Sequence, residues 1–268
     1  MLKNSNMKNI RMIPIMISAV ALITTLGITS CNKDNANDAT ASAHINMYLT
    51  DAPAAYDAVY IDVQSIEIIS DEGTTTHTLL HPGVYDLLKF NSGIDTLMIS
   101  EDLSPRTVSQ IRLILGENNS VVVDGVSHLL ATPSAQTSGL KLNVHYTFEA
   151  GITYDLWMDF DASQSIVEQG NGDYSLKPVI RIYTEAESGA ISGKIIPIDA
   201  ASYVQAITPT DTFGTTINAD GSFLIGGLVS GSYDVKFSAV AGFTDITVPD
   251  VSVSNGSVTE IGEIVIPL

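Results

Sequence analysis

Hydrophobic residues alternate with polar ones along most of this chain from residue 44 onward. Ile45, Met47 and Leu49 alternate with His44, Asn46 and Tyr48, the period-two signature of a half-buried strand. Val59, Ile61 and Val63 keep one phase, and Ile66 and Ile68 continue on the other, so a β-bulge or strand break is expected at Gln64-Ser65. Val121–Val123, Asp124-Gly125 and Val126–Leu130 read as a hairpin, because Asp-Gly suits a two-residue turn that needs positive φ. Leu140, Leu142 and Val144 alternate with Lys141, Asn143 and His145. Tyr154, Leu156, Met158 and Phe160 alternate with Asp155, Trp157, Asp159 and Asp161. No stretch holds a long 3.6-residue period. The best helix is short, with Asp161 as N-cap, Gln164 three residues on, Ile166 and Val167 inside and Gly170 as its stop. The expected class is all-β.

The first thirty residues break this pattern. Lys3, Lys8 and Arg11 precede an apolar run from Ile13 to Leu26, and Ile28-Thr29-Ser30-Cys31 closes it with small residues before the only cysteine. That arrangement is a secretion signal, with an apolar run too short and poorly flanked for a stable membrane span. Because the thiol sits at the cleavage point, the segment resembles the lipobox of bacterial lipoproteins. The resemblance implies removal of residues 1–30 and acylation of Cys31, so that the membrane is reached through an N-terminal lipid. Residues 31–43 contain no large apolar side chain and read as a flexible tether. Asn32-Lys33-Asp34 resembles the signals that send Bacteroidetes lipoproteins to the outer face of the outer membrane, so the expected location is the outer membrane, with surface exposure as one outcome.

Cleavage would leave 9 Lys and Arg against 30 Asp and Glu, a net charge of −21. Nucleic acid is excluded as a partner, since its binding depends on basic side chains that neutralise phosphates. With one cysteine in the chain, disulfides play no part in the fold.

Glu185–Gly189 lacks large apolar residues and marks a boundary between residues 44–185 and residues 186–268. In the second part, Asn218-Ala219-Asp220-Gly221-Ser222-Phe223, Gly227-Leu228, Gly231-Ser232-Tyr233 and Ala241-Gly242-Phe243 follow in an order that resembles the carboxypeptidase regulatory-like domain. The resemblance implies a transthyretin-like (prealbumin-like) β-sandwich that acts as spacer or binding support. Asp220-Gly221 fits a tight turn in the same scheme. In the first part, Leu49-Thr50-Asp51-Ala52-Pro53, Tyr56-Asp57-Ala58-Val59, Gln110-Ile111-Arg112-Leu113, Pro133-Ser134, Asp159-Phe160-Asp161-Ala162, Ser165-Ile166 and Leu176-Lys177-Pro178-Val179-Ile180 resemble the domain of unknown function 4382 of bacterial lipoproteins. That resemblance implies a β-rich domain in a lipoprotein setting and assigns no chemistry. The expected architecture is two β-sandwich-like domains after a cleaved lipoprotein signal.

Candidate chemistry is sparse. Asp155, Asp159 and Asp161 share a strand face, which suits either a Ca²⁺ site or, less well, a glycosidase carboxylate pair. The structural reading makes Asp161 a helix cap and pairs Asp159 with Lys177 or Arg181. Thr50, Asp51 and Pro53 suit a turn or the first turn of a short helix, with Thr50 or Asp51 capping. Arg112, inside an apolar strand, is expected to pair with an aspartate. Ser138 and Lys141 have the spacing of a nucleophile motif but precede a strand instead of opening a helix, and the five histidines show no zinc-type spacing. Trp157 suits a half-buried sheet position or an exposed sugar platform. These readings favour a non-enzymatic envelope protein, without a required cofactor, that displays β-domains for binding or adhesion to a protein or glycan ligand. A glycan-binding accessory of an uptake system and a fimbrial-type structural subunit are the alternatives.

Overall fold

Two-residue periodicity becomes strand pairing almost everywhere. In the computed structural model, residues 42–52, 54–132 and 138–268 are described. The first half contains β1 (Ala43–Ala52), β2 (Ala58–Ser70), β3 (Gly73–Asp86), β4 (Thr96–Leu103), β5 (Arg106–Leu115), β6 (Ser120–Val123), β7 (Val126–Ala131), β8 (Leu140–Phe148) and β9 (Thr153–Asp161). After a helical turn at Ala162–Ser165 come β10 (Ile166–Glu168), β11 (Tyr174–Leu176) and β12 (Ile180–Tyr183). One sheet has the order β12-β9-β1-β4, and β1 runs parallel to β9. The other has the order β10-β11-β7-β6-β2-β5-β8, with β3 paired to β2. Ile45, Met47 and Leu49 of β1 and Leu156, Met158 and Phe160 of β9 lie fully buried in one core with Ile61, Val63, Ile66 and Ile68 of β2.

The phase change in β2 is a real irregularity. Its register against both β3 and β5 shifts between Val63 and Ser65, which returns Ile66 and Ile68 to the core side. The β6–β7 hairpin turns at Asp124 (φ 48°) and Gly125 (φ 73°), the two positive angles that the tight turn requires. The predicted helix is cut short. Asp161 does cap it, accepting from the Gln164 N–H, but the helix ends at Ser165, and Ile166 and Val167 pair as β10 with β11. Their apolar side chains gain more from joining the sheet than from one further exposed helical turn.

The second half contains β13 (Gly189–Ile196), β14 (Ala201–Ile207), β15 (Thr212–Thr216), β16 (Ser222–Leu228), β17 (Gly231–Ala239), β18 (Ile246–Val253) and β19 (Val258–Val265). A three-stranded sheet, β16-β13-β19, faces a four-stranded sheet, β15-β14-β17-β18. Their core includes Ile191, Val204, Phe223, Ile225, Val235 and Phe237 and is separate from the first. The chain is therefore all-β, built from two sandwich-like halves with a core each. Cys31 and the signal and tether readings lie outside the described residues.

Candidate ligand-binding cleft between the two sandwiches

The outer face of the β12-β9-β1-β4 sheet is organised in rows set by strand register. In the first row, the Asn46 side-chain amide donates to Asp155 Oδ1 at 2.8 Å. Next, Tyr48, Trp157 and Tyr183 are aligned across β1, β9 and β12. Their rings form a stacked ladder, with centroids 5.1 Å and 5.9 Å apart and interplanar angles of 14° and 13°. The third row is Thr50, Asp159 and Arg181.

Arg181 carries this face into the second sandwich. Its Nε donates to Asp159 Oδ2 at 2.6 Å, Nη1 to the Gly227 carbonyl at 2.7 Å and Nη2 to the Gly226 carbonyl at 3.1 Å. The guanidinium lies 4.3 Å from the Phe213 ring centroid, a cation–π contact. Gly227 has φ 67°, and a Cβ there would sit 2.5 Å from the Tyr183 ring, so only glycine lets the ring and the carbonyls approach together. A second tie runs through the loop before β4. The Ser92 N–H donates to Thr215 Oγ1 at 2.9 Å, and the Thr216 hydroxyl bonds to Asn91 Oδ1.

These ties leave a cleft on each side of Arg181. One, of about 330 Å³, is lined by Asp95, Trp157, Asp159, Tyr183 and the Gly226-Gly227 backbone. Trp157 Nε1 donates to Asp95 Oδ2 at 2.8 Å inside it. The other, of about 630 Å³, is lined by Asp161, Gln164, Tyr203, Gln205, Asp211 and Phe213. Both are rich in acceptors. Desolvation raises the Tyr183 and Tyr203 hydroxyls above the ordinary tyrosine range, and nearby carboxylates push them further, so both stay neutral donors at physiological pH.

Asp51 is the most perturbed acid. It stands next to the end of β1 with 4% exposure, accepts from the Ala162 N–H at 3.0 Å through Oδ1, and leaves Oδ2 without a partner among the described residues. Burial holds its carboxyl well above the usual carboxylate range. The Ala162 N–H partly opposes that effect, and Asp159 and Asp161 reinforce it.

The structure revises several expectations. Asp155, Asp159 and Asp161 share a face but have separate tasks: Asp155 holds Asn46, Asp159 holds Arg181 and Asp161 caps the helical turn. Among the described residues, no group of three or more His, Cys, Asp and Glu side chains is placed to hold a metal ion, so the Ca²⁺ reading loses its geometry. Thr50 and Asp51 are strand residues, not the start of a helix. Thr50 Oγ1 donates to the Phe90 carbonyl at 3.0 Å, while Asp51 reaches across to the first residue of the helical turn after β9. Pro53 lies outside the described residues. Arg112 pairs with Glu67, not an aspartate, because register sets the two opposite each other on β5 and β2; Nη1 to Oε2 is 3.4 Å, and Gln110 accepts from Nε at 2.7 Å. The Lys177 side chain is exposed, and its contribution is the backbone bond from its N–H to the Ser165 carbonyl. Asp220 and Gly221 form the turn into β16, with Asp220 Oδ1 accepting from the Ser222 N–H and hydroxyl. Trp157 is not an open platform, since Tyr48 and Tyr183 cover its two faces.

Arg181 and Tyr183 together line the cleft, a pairing that alternation alone did not single out. The signal was Ile180-Arg181-Ile182-Tyr183, a strand whose polar face matches that of Asp159 and Trp157.

Comparisons with known proteins complete the description. No curated protein matches the chain. Among solved structures, a C-terminal interface mutant of a type II cohesin–X-dockerin complex from Acetivibrio cellulolyticus is 21% identical, with a TM-score of 0.24, over 29% of this chain and 56% of that one. The Bacillus anthracis TIE protein is 8% identical, with a TM-score of 0.23, over 85% of this chain and 35% of that one. A leucine-rich repeat protein from Bacteroides thetaiotaomicron is 12% identical, with a TM-score of 0.20, over 85% and 26%. This chain thus spans about half or less of the structures it matches, and likenesses of this size transfer neither fold nor function. The family model for a domain of unknown function (DUF4382) matches residues 42–178, from the residue before β1 to just short of β12. The rows on β1 and β9 thus sit inside the matched region and Arg181 just beyond it, and by that match the chain belongs to the DUF4382 family.

Proposed function

We propose that this chain is a non-enzymatic, lipid-anchored protein of the outer membrane that binds a protein or glycan ligand in the clefts flanking Arg181. The carrying observation is the Arg181 tie. One side chain bonds Asp159 in the first sandwich and two carbonyls in the second, so that both sandwiches contribute walls to one recognition surface. The N-terminal signal ending at Cys31 supports the anchor, and the tether would hold the clefts away from the bilayer. The three-plus-four strand arrangement of residues 189–265 supports reading the second sandwich as a carboxypeptidase regulatory-like support that completes the cleft. The reading is non-enzymatic because Asp159 and Asp95 in the cleft are engaged with Arg181 and Trp157, and Asp51, which also borders it, is 4% exposed and bonded to the Ala162 N–H.

The test is protease shaving of intact cells, with lysed cells as control and the Cys31→Ala chain alongside. Wild-type protein is expected in the membrane pellet and cleaved on intact cells, while Cys31→Ala leaves the membrane. Retention of the variant in the pellet would remove the anchor from the proposal, and protection until lysis would place the clefts in the periplasm and end the adhesion reading. Trp157, the single tryptophan, reports on the cleft itself, since its indole N–H lies in the wall. A soluble glycan or peptide that binds there shifts its emission.

A further inference from the structure

The first sandwich is closed on one side and open on the other. Among the described residues, β8 is the last strand of its sheet, nine residues long and paired only with β5, and β12 is the last strand of the facing sheet, paired only with β9. Between these two edges runs a groove of about 520 Å³. Its floor is the flank of the core. Val144, Tyr146, Ile180 and Ile182 pack on the buried cluster yet remain only partly covered. Across the gap the contact is thin, with the Tyr146 hydroxyl reaching the Ile182 carbonyl at 3.3 Å. β8 carries a bulge where Val144 and His145 together oppose Ser109, and the edge on either side of it, beside exposed core flank, is the arrangement that accepts an added strand.

Charge narrows the occupant. Among the described residues no carboxylate lines the groove, although the chain has 30 Asp and Glu against 12 Lys and Arg. Lys141 and His145 share the exposed face of β8, and Lys141 has no ion pair among the described residues. Arg181, also on the groove, is already committed to Asp159. The nearest acid effect is that of Glu187 on the Tyr146 hydroxyl, at one end. A β8 edge from a second copy would bring its own Lys141 and His145 against this row, which disfavours self-pairing. Given the proposed removal of residues 1–30, the remaining sequence outside the described residues offers no substitute, since residues 31–41 and 133–137 contain no large apolar side chain to fill the floor.

We propose that the groove takes up an extended acidic segment of another polypeptide as an added strand along β8. Its apolar side chains rest on Val144, Tyr146, Ile180 and Ile182, and its acids, alternating with them, lie beside Lys141 and His145. The site shares Arg181 with the two clefts but runs along the β8 edge, whose residues line neither of them.

The probe is a fluorescein-labelled peptide of about nine residues, matched to β8, in which valine alternates with aspartate and threonine. A peptide of the same composition without the alternation is its control. Titrated into the full chain in detergent, the alternating peptide is expected to bind about tenfold tighter or better than the control. Lys141→Glu, whose fold is checked by circular dichroism, is expected to weaken it by about tenfold, an effect that salt reduces. Methylating alternate peptide nitrogens on the edge that pairs with β8 abolishes binding, while methylating the opposite edge does not. Equal binding of the two peptides, indifference to Lys141→Glu, or indifference to methylation of both edges would overturn the proposal. So would a concentration-dependent dimer, seen by light scattering, that the peptide dissolves, because the groove would then belong to a second copy.

Discussion

Replacing Arg181 with Met tests whether one side chain couples the two sandwiches. The substitution keeps an apolar stem over Phe213 but removes a charge-assisted bond to Asp159 and two bonds to the Gly226 and Gly227 carbonyls. Hydrogen bonds to charged groups contribute about 1.5–3 kcal/mol each, and breaking a buried pair costs about 3–5 kcal/mol, because the remaining charge is stranded. The side chain of Asp159 is 10% exposed and that of Arg181 30%, so water re-enters on the arginine side and the lower end applies. The expected cost is about 3 kcal/mol. The two cores are separate, so the loss falls on their coupling. Urea unfolding followed by Trp157 fluorescence reports the first sandwich, and far-ultraviolet circular dichroism reports both. In the wild-type chain the two probes are expected to coincide, and in Arg181→Met they separate, with the second sandwich melting earlier. Adding Asp159→Leu to Arg181→Met removes the stranded carboxylate and recovers part of the loss, which makes the pair non-additive by about 1–3 kcal/mol. Coincident transitions in the variant, a cost under about 0.5 kcal/mol, or strict additivity would refute the tie.

Three further outcomes follow from the same geometry. Because burial raises the Asp51 carboxyl, the folded chain retains a proton that the unfolded chain has released, and stability falls as pH rises from the ordinary aspartate value of 3.8 toward the raised folded one. Asp51→Asn keeps an acceptor for the Ala162 N–H and removes that fall, so its melting temperature relative to wild type improves from pH 4 to pH 7; a constant offset across that range would sink the argument. Gly227→Ala meets the Tyr183 ring at 2.5 Å as well as a left-handed backbone, whereas Gly125→Ala meets open space at a similar φ. The first is expected to cost about 1–3 kcal/mol more than the second by thermal denaturation, and equal costs would mean that the ring yields freely. Chelation with EDTA is expected to leave the melt unchanged, and a lowered melting temperature would restore a cation to the structure.

Local pattern carried the strands, the bulge at Gln64-Ser65 and the Asp124-Gly125 hairpin, because each depends on residues adjacent in the chain. Partners across the sheets were less legible. Glu67 opposite Arg112 and Arg181 opposite Asp159 are products of register between strands distant in sequence, and alternation gives a face without naming its neighbour. The parallel pairing of β1 with β9 joins residues about a hundred positions apart and leaves no local trace. The helix was over-extended for a related reason. Asp161 and Gln164 start a turn well, but Ile166 and Val167 respond to β11, which lies further along the chain. Asp51 resembled a cap and does receive a helical N–H, although the helix it serves begins at Ala162.

The placement of β1 has a mechanical consequence. It is flanked by β9 and β4 along its length, with nine residue pairs to β9 and seven to β4. It is the first described strand, and near its C-terminal end Thr50 and Asp51 border the cleft. Under the proposed anchoring at Cys31 and ligand binding in that cleft, tension would run along this strand and load both ladders in shear, so many hydrogen bonds must yield together instead of one after another. Forced rupture is governed by the unfolding barrier, and a central strand sheared against two neighbours is a geometry that raises it.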